Sequence, residues 1–355
     1  MPALQPLPSQ APAPSYALEP PLDVAIVGAT GVVGRELIAC LEKRNFPVAS
    51  LRLYASERSS GRRLSFRGEQ IAVGPLNEEA LGAARLVFFA SSAEVSRRFA
   101  AAAIRAGALV IDNSSAFRMD DSTPLVVPEV NGARARLHSG LIANPNCIAA
   151  IVAVAVAPLH AEVPLKRVIA ATYQAASGAG AEAMDELLQS TAAYLHGRPF
   201  RPQALAHPYA FNLFSHDSPV DPVTGSNEEE IKVMQELKKL LGAPELRIGI
   251  TCVRAPVLRA HSVALTLEFE RPLQPQTALA ILARAPGVRV VNDLAANRFP
   301  MPSEAAGQDA VLVGRVRWDP SDPTGRSLSL FIAGDQLLKG AALNAVQIAE
   351  SLLRG

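Results

Sequence analysis

Cysteine is scarce in this chain. Its 355 residues include three cysteines, Cys40, Cys147 and Cys252, and no two of them form a CxxC spacing. An odd and sparse set of this kind argues against a disulfide framework and against a structural zinc site. We therefore expect free thiols in a reducing compartment, which indicates a cytoplasmic protein, and we expect no bound metal.

Strong net charge and long apolar runs are also missing. The formal net charge is +1 at pH 7, which gives no electrostatic reason to expect binding to nucleic acid or to an anionic membrane surface. The longest apolar stretch, Cys147 to Leu159, is well short of the roughly 20 residues that a membrane-spanning helix needs. The sequence therefore predicts neither nucleic acid nor a membrane as a partner.

The beginning of the chain lacks the features of a secretory signal. Residues 1–21 contain seven prolines but have neither a basic n-region nor an apolar h-region. A disordered, proline-rich extension is the better prediction.

The composition is sufficient to form a hydrophobic core. Hydrophobic residues make up 49% of the chain and charged residues 19%, and the length is enough for about two domains. Over residues 22–146, apolar runs alternate with helical patterns, which is typical of βαβ units and a parallel sheet. From about Lys166 the pattern is β-rich with two interrupting helices, so we predict an α+β domain with a mostly antiparallel sheet at 147–338. The predicted fold class is α/β, with a Rossmann-like dinucleotide-binding domain first. The stretch from Lys339 to Leu353 predicts an amphipathic helix.

A glycine-rich turn follows the first predicted strand, with the spacing GxxGxxG. Glycines at a strand-to-helix turn allow close approach of the backbone, and the helix N-terminus offers free N–H groups to a pyrophosphate. The spacing differs from the usual GxGxxG, and a turn needed only for packing is the alternative. The candidate cofactor-binding residues are Gly28, Ala29, Thr30, Gly31, Val32, Val33 and Gly34.

The end of the second predicted strand bears on the choice of cofactor. An acidic residue there binds the ribose 2′-OH of NAD, whereas a basic residue accommodates the 2′-phosphate of NADP. The sequence places Ser56, Arg58 and Ser59 there, with Glu57 as an opposing acid. We predict NADP(H) as the cofactor, and a solvated charged loop is the alternative.

Cys147 follows Asn144-Pro145-Asn146 where a turn becomes a helix. The dipole at a helix N-terminus favours a thiolate, which makes Cys147 a candidate nucleophile. Cys40, on an amphipathic helix, and Cys252, within a strand, are more typical of packing. A small buried residue is the alternative for Cys147 considered alone.

Two later motifs add polar groups. The segment YQAASGAG, residues 173–180, places Gln174 at a strand end before a glycine-rich loop. The segment CVRAPVLRAHS, residues 252–262, contains Arg254 and His261, and a histidine near a thiol can act as general acid and base at neutral pH. A surface or core histidine is the alternative for His261 considered alone.

Together these motifs resemble the aspartate-semialdehyde dehydrogenase family. GATGVVG, DNSSAFR, NPNC, YQAASGAG, CVRAPVLRAHS and KGAALNAV occur in this order, and the resemblance extends from about residue 22 to the C-terminus. It implies an NADP-binding domain completed by the helix 339–355, and a catalytic and dimerisation domain at 147–338 in a homodimer. The implied reaction is NADPH-dependent reductive dephosphorylation of L-aspartyl-4-phosphate to L-aspartate 4-semialdehyde, with release of phosphate and a thioester on Cys147. This reaction belongs to the biosynthesis of lysine, threonine, methionine and diaminopimelate.

The resemblance also implies a role for each matching residue. Cys147 is implied as the nucleophile, His261 as acid and base, and Gln174 as the group that orients the reacting carbonyl. The implied substrate ligands are Arg254 for the α-carboxylate, Glu229 for the α-ammonium group, Arg118 and Lys232 for the phosphoryl group, and Asn146 beside the nucleophile. The implied cofactor contacts add Ser177, Gly178 and Gln336, the last of which stands near where the family usually has an asparagine.

Two other functions compete with this interpretation. N-acetyl-γ-glutamyl-phosphate reductase shares the thioester chemistry, but its acylated amine would have no use for the carboxylate of Glu229. A non-catalytic paralogue, acting as a dimeric binding protein, would be expected to lose its nucleophile, glutamine or histidine. Cys147, Gln174 and His261 are all present.

Overall fold

The computed structural model describes residues 18–353, so most of the predicted proline-rich extension lies outside the described residues. The first sheet has seven strands in the order β3-β4-β2-β1-β5-β6-β7. Its strands are β1 (Leu22–Val27), β2 (Val48–Ala55), β3 (Arg63–Phe66), β4 (Glu69–Pro75), β5 (Leu86–Phe89), β6 (Leu109–Asp112) and β7 (Leu141–Ala143). Neighbouring strands are parallel except in the β3–β4 hairpin, which confirms the predicted parallel sheet. The β3–β4 hairpin was not predicted from the sequence.

The second sheet also has seven strands, in the order β12-β13-β14-β11-β8-β10-β9. They are β8 (Leu165–Gln174), β9 (Phe214–Ser215), β10 (Arg247–Arg254), β11 (His261–Phe269), β12 (Val288–Val290), β13 (Val311–Trp318) and β14 (Ser327–Gly334). Only the β8–β10 and β12–β13 pairs are parallel, and the other pairs are antiparallel. The prediction of a mostly antiparallel second sheet is therefore confirmed.

The helices cover both sheets. They are α1 (Val32–Lys43), α2 (Glu78–Leu81), α3 (Ala93–Arg105), α4 (Pro128–Asn131), α5 (Cys147–Glu162), α6 (Ala181–Leu195), α7 (Glu228–Leu241), α8 (Pro275–Leu282), α9 (Pro302–Ala305) and α10 (Leu343–Leu353). Helix α5 is apolar on every side, and its residues from Ile148 to Val156 are all buried. A helix that is hydrophobic all round needs apolar neighbours all round, and α5 lies in the core of the second sheet together with buried residues of α7 and α8.

The C-terminal segment differs from the simple amphipathic helix that we predicted. It begins with a π-helical turn, Leu338–Ala342, and continues as α10. Every residue from Leu338 to Val346 is buried, so the first half has no solvent-facing side. The reason is its position: Ala342, Leu343 and Val346 pack in the core of the first sheet, while Gly340 faces Cys147 of α5.

Close packing fixes the loop between β1 and α1. Gly28 has φ +86°, and a Cβ there would lie 2.3 Å from the carbonyl oxygen of Ala90. A Cβ at Gly34 would lie 2.3 Å from the carbonyl oxygen of Gly28. Side chains at these two positions would force the loop away from the sheet, so the glycines hold the start of α1 against the end of β1.

Among residues 18–353, the helices are all too short or too polar to cross a membrane.

The glycine loop generates a stability prediction. Gly28→Ala should destabilise the protein more than Gly68→Ala, because Gly68 has a similar φ of +83° but a Cβ added there would have no atom within 4 Å. Gly68→Ala should therefore cost only the left-handed backbone penalty, about 1–2 kcal/mol, and Gly28→Ala should add a backbone clash to it. Urea unfolding of both variants measures the difference. Equal losses would contradict the assigned packing.

Candidate active site

Cys147 is the first residue of α5, and Asn146 caps that helix. The side-chain Oδ1 of Asn146 accepts hydrogen bonds from the backbone N–H of Ile148 at 2.8 Å and of Ala149 at 3.2 Å. These are two of the N–H groups that have no partner inside a helix. Cys147 is partly exposed, whereas the next nine residues are buried. Cys147 as a residue is therefore partly exposed, although its thiol group is enclosed by protein atoms.

The electrostatic expectation for this thiol is wrong. The pKa of Cys147 is raised to about 12, first because burial penalises the thiolate and then because the carboxylate of Glu229 is near. Arg118, Arg254 and the N–H of Ile148 lower it, but they do not offset the loss of hydration. The helix N-terminus lowers the pKa of Cys147, as expected, but desolvation raises this pKa by more. Cys147 is thus a protonated thiol at neutral pH.

The other two cysteines are buried and free. Burial raises the pKa of Cys40 to about 12 and also raises the pKa of Cys252. Cys147 therefore differs from them in its exposure and in its polar neighbours rather than in its acidity. This fits their assignment as packing residues.

Gln174 and Arg254 stand opposite each other at the ends of β8 and β10, where the two strands pair in register. The Gln174 amide is held at both ends: its Nε2 donates to Glu229 Oε1 at 3.1 Å, and its Oε1 accepts from Thr172 Oγ1 at 3.1 Å. The same Glu229 oxygen accepts from Asn146 Nδ2 at 3.0 Å. Glu229 therefore joins Gln174 to the residue that precedes the nucleophile.

Asp217 contacts the candidate site and was not predicted from the sequence. Its Oδ1 accepts a 2.8 Å hydrogen bond from Arg254 Nε, and Arg254 lowers the pKa of this carboxyl. Ser218 Oγ accepts the backbone N–H of Glu229 at 3.2 Å. Two residues of the proline-rich loop 216–226, Asp217 and Ser218, therefore contact Arg254 and Glu229. The signal that could have found Asp217 is that a buried arginine needs an acidic partner.

One part of the Arg254 guanidinium remains free. Its Nη1 is buried and has no hydrogen-bond partner among residues 18–353. Because buried polar atoms are normally paired, this nitrogen marks a place where a ligand oxygen can bind.

His261 begins β11 and is fully buried. Its Nδ1 accepts the backbone N–H of Ala175 at 2.9 Å, so the ring proton resides on Nε2. Nε2 is buried and unpartnered within the described chain. Burial, and then the charges of Arg254 and His216, hold the pKa of His261 well below its usual range. The imidazole is therefore neutral and has one N–H available for donation.

Gly178 covers His261 and Arg254. A Cβ there would lie 2.9 Å from His261 Cε1, 3.0 Å from His261 Nε2 and 3.3 Å from Arg254 Nη1. The absence of a side chain lets the 176–179 turn lie directly against both groups. The two unpartnered nitrogens therefore share one small space.

Arg118 is buried beside the Cys147 turn. Its Nε donates to the carbonyl of Asn144 at 2.9 Å, its Nη2 to the carbonyl of Asn113 at 2.7 Å, and its Nη1 to Glu236 Oε1 at 3.1 Å. Arginine has five N–H donors, so two are left over from these contacts. Glu236 was not predicted as a site residue.

Lys232 occupies a different environment. Its Nζ donates to Glu228 Oε2 at 2.8 Å on the surface of α7, and it adds to the charges that lower the pKa of His216. Arg118 instead bonds to Asn113, Asn144 and Glu236. The two predicted phosphoryl ligands therefore have separate sets of partners.

A cleft of about 840 Å³ extends from the glycine loop to the 177–182 turn. Its lining includes the predicted residues Thr30, Gly31, Val32, Val33, Arg58, Ser59, Ser177 and Gly178, and it adds Arg35, Arg62, Ala90, Ala179, Gly180, Ala181 and Glu182. The start of α1 opens into this cleft, and Arg35, Arg58 and Arg62 contribute to its walls. A glycine cradle, a helix N-terminus and cationic walls fit a dinucleotide phosphate.

Other predicted cofactor residues lie outside the lining of this cleft. Ser56 is exposed at the start of the turn 57–59. Gln336 is buried, accepts the backbone N–H of Ala260 at 2.9 Å and donates from Nε2 to Ser177 Oγ. Gln336 therefore supports Ser177, which does line the cleft. Gly28, Ala29 and Gly34 form the packed base of the loop.

A metal-binding cluster was not expected. In the part of the chain that the structure describes, no three His, Cys, Asp or Glu side chains are placed to hold a metal ion.

The raised pKa of Cys147 generates a pH prediction. Since the pKa is about 12, the rate of Cys147 alkylation by iodoacetamide should keep rising with pH and should not level off near the ordinary thiol value of about 8.5. Glu229→Gln should accelerate alkylation at each pH, because Glu229 raises this pKa. Mass spectrometry of the alkylated peptide gives the rate. Glu228→Gln, an exposed change on the same helix, is the control and should leave the profile unchanged. A plateau near neutral pH would contradict the assigned desolvation.

Comparison with known proteins agrees with this geometry. The family described as "Semialdehyde dehydrogenase, NAD binding domain" matches residues 23–138, and that described as "Semialdehyde dehydrogenase, dimerisation domain" matches residues 156–339. An aspartate-semialdehyde dehydrogenase of Synechocystis sp. is 50% identical, over 94% of this chain and 98% of the relative. One of Bacillus subtilis is 40% identical, over 93% and 97%.

A solved structure is similar throughout. Aspartate semialdehyde dehydrogenase II of Vibrio cholerae, described as complexed with ASA, aligns with a TM-score of 0.90 at 37% identity and covers 94% of this chain and 98% of that one. The resemblance inferred from the motifs is confirmed. With both of its domains matched and relatives at up to 50% identity among those compared, the chain belongs to the aspartate-semialdehyde dehydrogenase family.

Proposed function

We propose that this chain catalyses the NADPH-dependent reductive dephosphorylation of L-aspartyl-4-phosphate to L-aspartate 4-semialdehyde. The observation that carries the proposal is one connected set of contacts. Asn146 and Gln174 share Glu229, Gln174 pairs in register with Arg254, and Arg254 lies with His261 under Gly178. These contacts support a site in which a thiol, an amide, a guanidinium and an imidazole act together next to the turn 177–178 of the dinucleotide cleft.

The α-carboxylate and α-ammonium groups of the substrate can pair with the opposite charges of Arg254 and Glu229. The unpartnered Nη1 of Arg254 can donate to the α-carboxylate, and its Nε stays with Asp217. Glu229 uses Oε1 for Asn146 and Gln174, and its second oxygen accepts none of the hydrogen bonds found in the described chain. That oxygen suits the α-ammonium group, which can pair with a buried carboxylate.

Arg118 is the better placed of the two phosphoryl ligands. It lies close enough to Cys147 to lower its pKa, and it has two N–H donors left over from its protein contacts. Lys232 would have to exchange Glu228 for the phosphoryl group. We assign Arg118 to the leaving phosphate and Lys232 to its outer oxygens.

Cys147 attacks the acyl carbon, the C–O bond to the phosphoryl group breaks, and the thiol proton leaves with the phosphate as hydrogen phosphate, so that a thioester remains. The Nε2–H of His261 can donate a hydrogen bond to the oxyanion that forms, and the sulfur that departs after reduction takes up a proton from solvent. Acceptance of the thiol proton by Nε2 would need the other tautomer, which the Ala175 N–H disfavours. Donation of a hydrogen bond from Nε2–H is therefore the role assigned to His261. When bound, NADPH supplies the hydride that reduces the thioester.

The cleft walls favour NADP over NAD. Arg35, Arg58 and Arg62 line the cleft together with Ser59, whereas Glu57 is not among the lining residues. Three guanidinium groups suit a 2′-phosphate, which a 2′-hydroxyl lacks.

We also propose a cytoplasmic homodimer. Three free thiols suit a reducing compartment. Ile169 and Tyr173 of β8 are 45% and 37% exposed on the sheet of the domain whose matched description names dimerisation. This open apolar sheet face supports a second copy as the partner.

Neither N-acetyl-γ-glutamyl-phosphate reduction nor a non-catalytic role has an observation in its favour, since Glu229 lies beside the nucleophile and the catalytic groups are intact.

The reaction can be tested in reverse. The purified protein should form NADPH from aspartate semialdehyde and NADP only when phosphate is present. Cys147→Ala should abolish turnover and leave folding intact, because it removes the nucleophile. Cys40→Ala, a change of a buried thiol on α1, should retain activity. Absorbance of NADPH follows the rate. Undiminished activity of Cys147→Ala would exclude the covalent route.

Cofactor preference tests the cleft. Arg58→Ala should raise the KM for NADP by roughly tenfold or more, as expected for one lost charge-assisted phosphate contact, and should leave the KM for NAD nearly unchanged. Arg63→Ala, a change of an exposed arginine on β3, is the matched control. If the wild-type protein prefers NAD, or if both arginine variants behave alike, the NADP assignment fails.

A further inference from the structure

Glu236 is a buried carboxylate on α7 for which neither the sequence nor the proposed reaction has a role. It lies two helical turns after Glu229, and side chains seven residues apart share one face of a helix. Its side chain is 2% exposed. Burial of a carboxylate is unfavourable unless it is paired, so its contacts need an explanation.

Those contacts involve two parts of the candidate active site. Oε1 accepts the 3.1 Å hydrogen bond from Arg118 Nη1. Oε2 accepts the backbone N–H of Asn146 at 2.5 Å. Asn146 immediately precedes Cys147 and caps α5. One carboxylate thus connects the guanidinium assigned to phosphate with the turn that carries the nucleophile.

The arrangement is specific for a carboxylate. Both partners are donors, and only a carboxylate presents two acceptor oxygens in this geometry. Burial raises the pKa of Glu236, while Arg118 and the Asn146 N–H lower it and Glu229 raises it further. An amide of the same shape would set its NH2 group against either Arg118 or Asn146.

We propose that Glu236 is a positioning residue that sets the distance between the phosphate-binding guanidinium of Arg118 and the Cys147 turn. It acts through these two residues and does not touch the substrate. The proposal rests on the proposed function, since it assumes that Arg118 receives the phosphoryl group.

If Glu236 and Arg118 formed only a structural ion pair, substitution of Glu236 would have a different effect. Loss of Glu236 would then lower stability and leave the kinetic constants of the folded fraction unchanged. A positioning role predicts a selective change in the use of phosphate.

The test compares Glu236→Gln, Glu236→Asp and Glu230→Gln in the phosphate-dependent reverse reaction. Glu236→Gln should raise the KM for phosphate and lower kcat, each by roughly tenfold or more, with a smaller change in the KM for aspartate semialdehyde. Glu236→Asp keeps both acceptor oxygens and should recover part of the loss. Glu230 is the matched control: it is also buried on α7 but accepts the N–H groups of Asn227 and Cys252. Its variant should lower Tm without a selective change in KM for phosphate.

A second measurement separates this proposal from the proposed function. Arg118 lowers the pKa of Cys147, so loosening its guanidinium should move the pH profile of Cys147 alkylation to higher pH in Glu236→Gln and not in Glu230→Gln. This measurement needs no turnover. If the wild-type protein lacks phosphate-dependent activity but the profile moves, the proposed function fails and the positioning contact stands.

Glu236→Asp serves for both measurements if Glu236→Gln does not fold. The positioning role is overturned if the folded variants show wild-type KM for phosphate and a wild-type alkylation profile with only a lower Tm. It is also overturned if Glu230→Gln shows the same kinetic changes.

Discussion

The end of one buried helix determines the rest of the site. Helix α5 is surrounded by the core of the second sheet, so its first N–H groups need partners from the protein. Asn146 supplies the acceptor for two of them, and its own backbone N–H and side-chain amide are held by Glu236 and Glu229. Because the cap is fixed by two carboxylates of α7, the position of Cys147 depends on how α5 and α7 pack. A change in that packing would move the nucleophile.

Each of the two buried guanidinium groups pairs with a carboxylate, one of which is buried and one exposed. Arg118 pairs with Glu236 and Arg254 pairs with Asp217, so both guanidinium groups have an acidic partner before any substrate arrives. Such pairs contribute little net stability after desolvation, but each leaves N–H donors at a defined place. The low hydration that makes these donors effective is also what raises the pKa of Cys147. The site therefore combines buried N–H donors that could bind an anion with a thiol that is protonated at rest.

The sequence predicted the local structure around several of the candidate site residues. Gly28, Cys147, Gln174 and Arg254 all lie at the end of a strand or the start of a helix, which periodicity and turn residues reveal. Asp217, Glu236, Arg35 and Arg62 were missed because their roles depend on which segments meet in three dimensions. The acidity predicted for Cys147 was wrong for the same reason, since burial is a property of the fold and the helix dipole is a property of the local sequence. The π-helical turn at Leu338–Ala342 was also not predicted from the local sequence.

That turn connects the nucleophile to the cofactor side of the protein. A Cβ at Gly340 would lie 2.7 Å from the Cβ of Cys147, so the C-terminal segment packs directly on the nucleophile. Four residues earlier, Gln336 holds Ser177 of the dinucleotide cleft and the backbone of Ala260 next to His261. The side chain of Arg259 connects this segment to α1: it bonds to Asp335 at 2.7 Å and to Glu36 of α1 at 2.6 Å. Helix α1, whose start lines the cleft, is therefore joined through two ion pairs to the segment that touches the nucleophile. Because these contacts are short and buried or half-buried, the separation between the cleft and Cys147 is set by the packing of one segment rather than by a flexible linker.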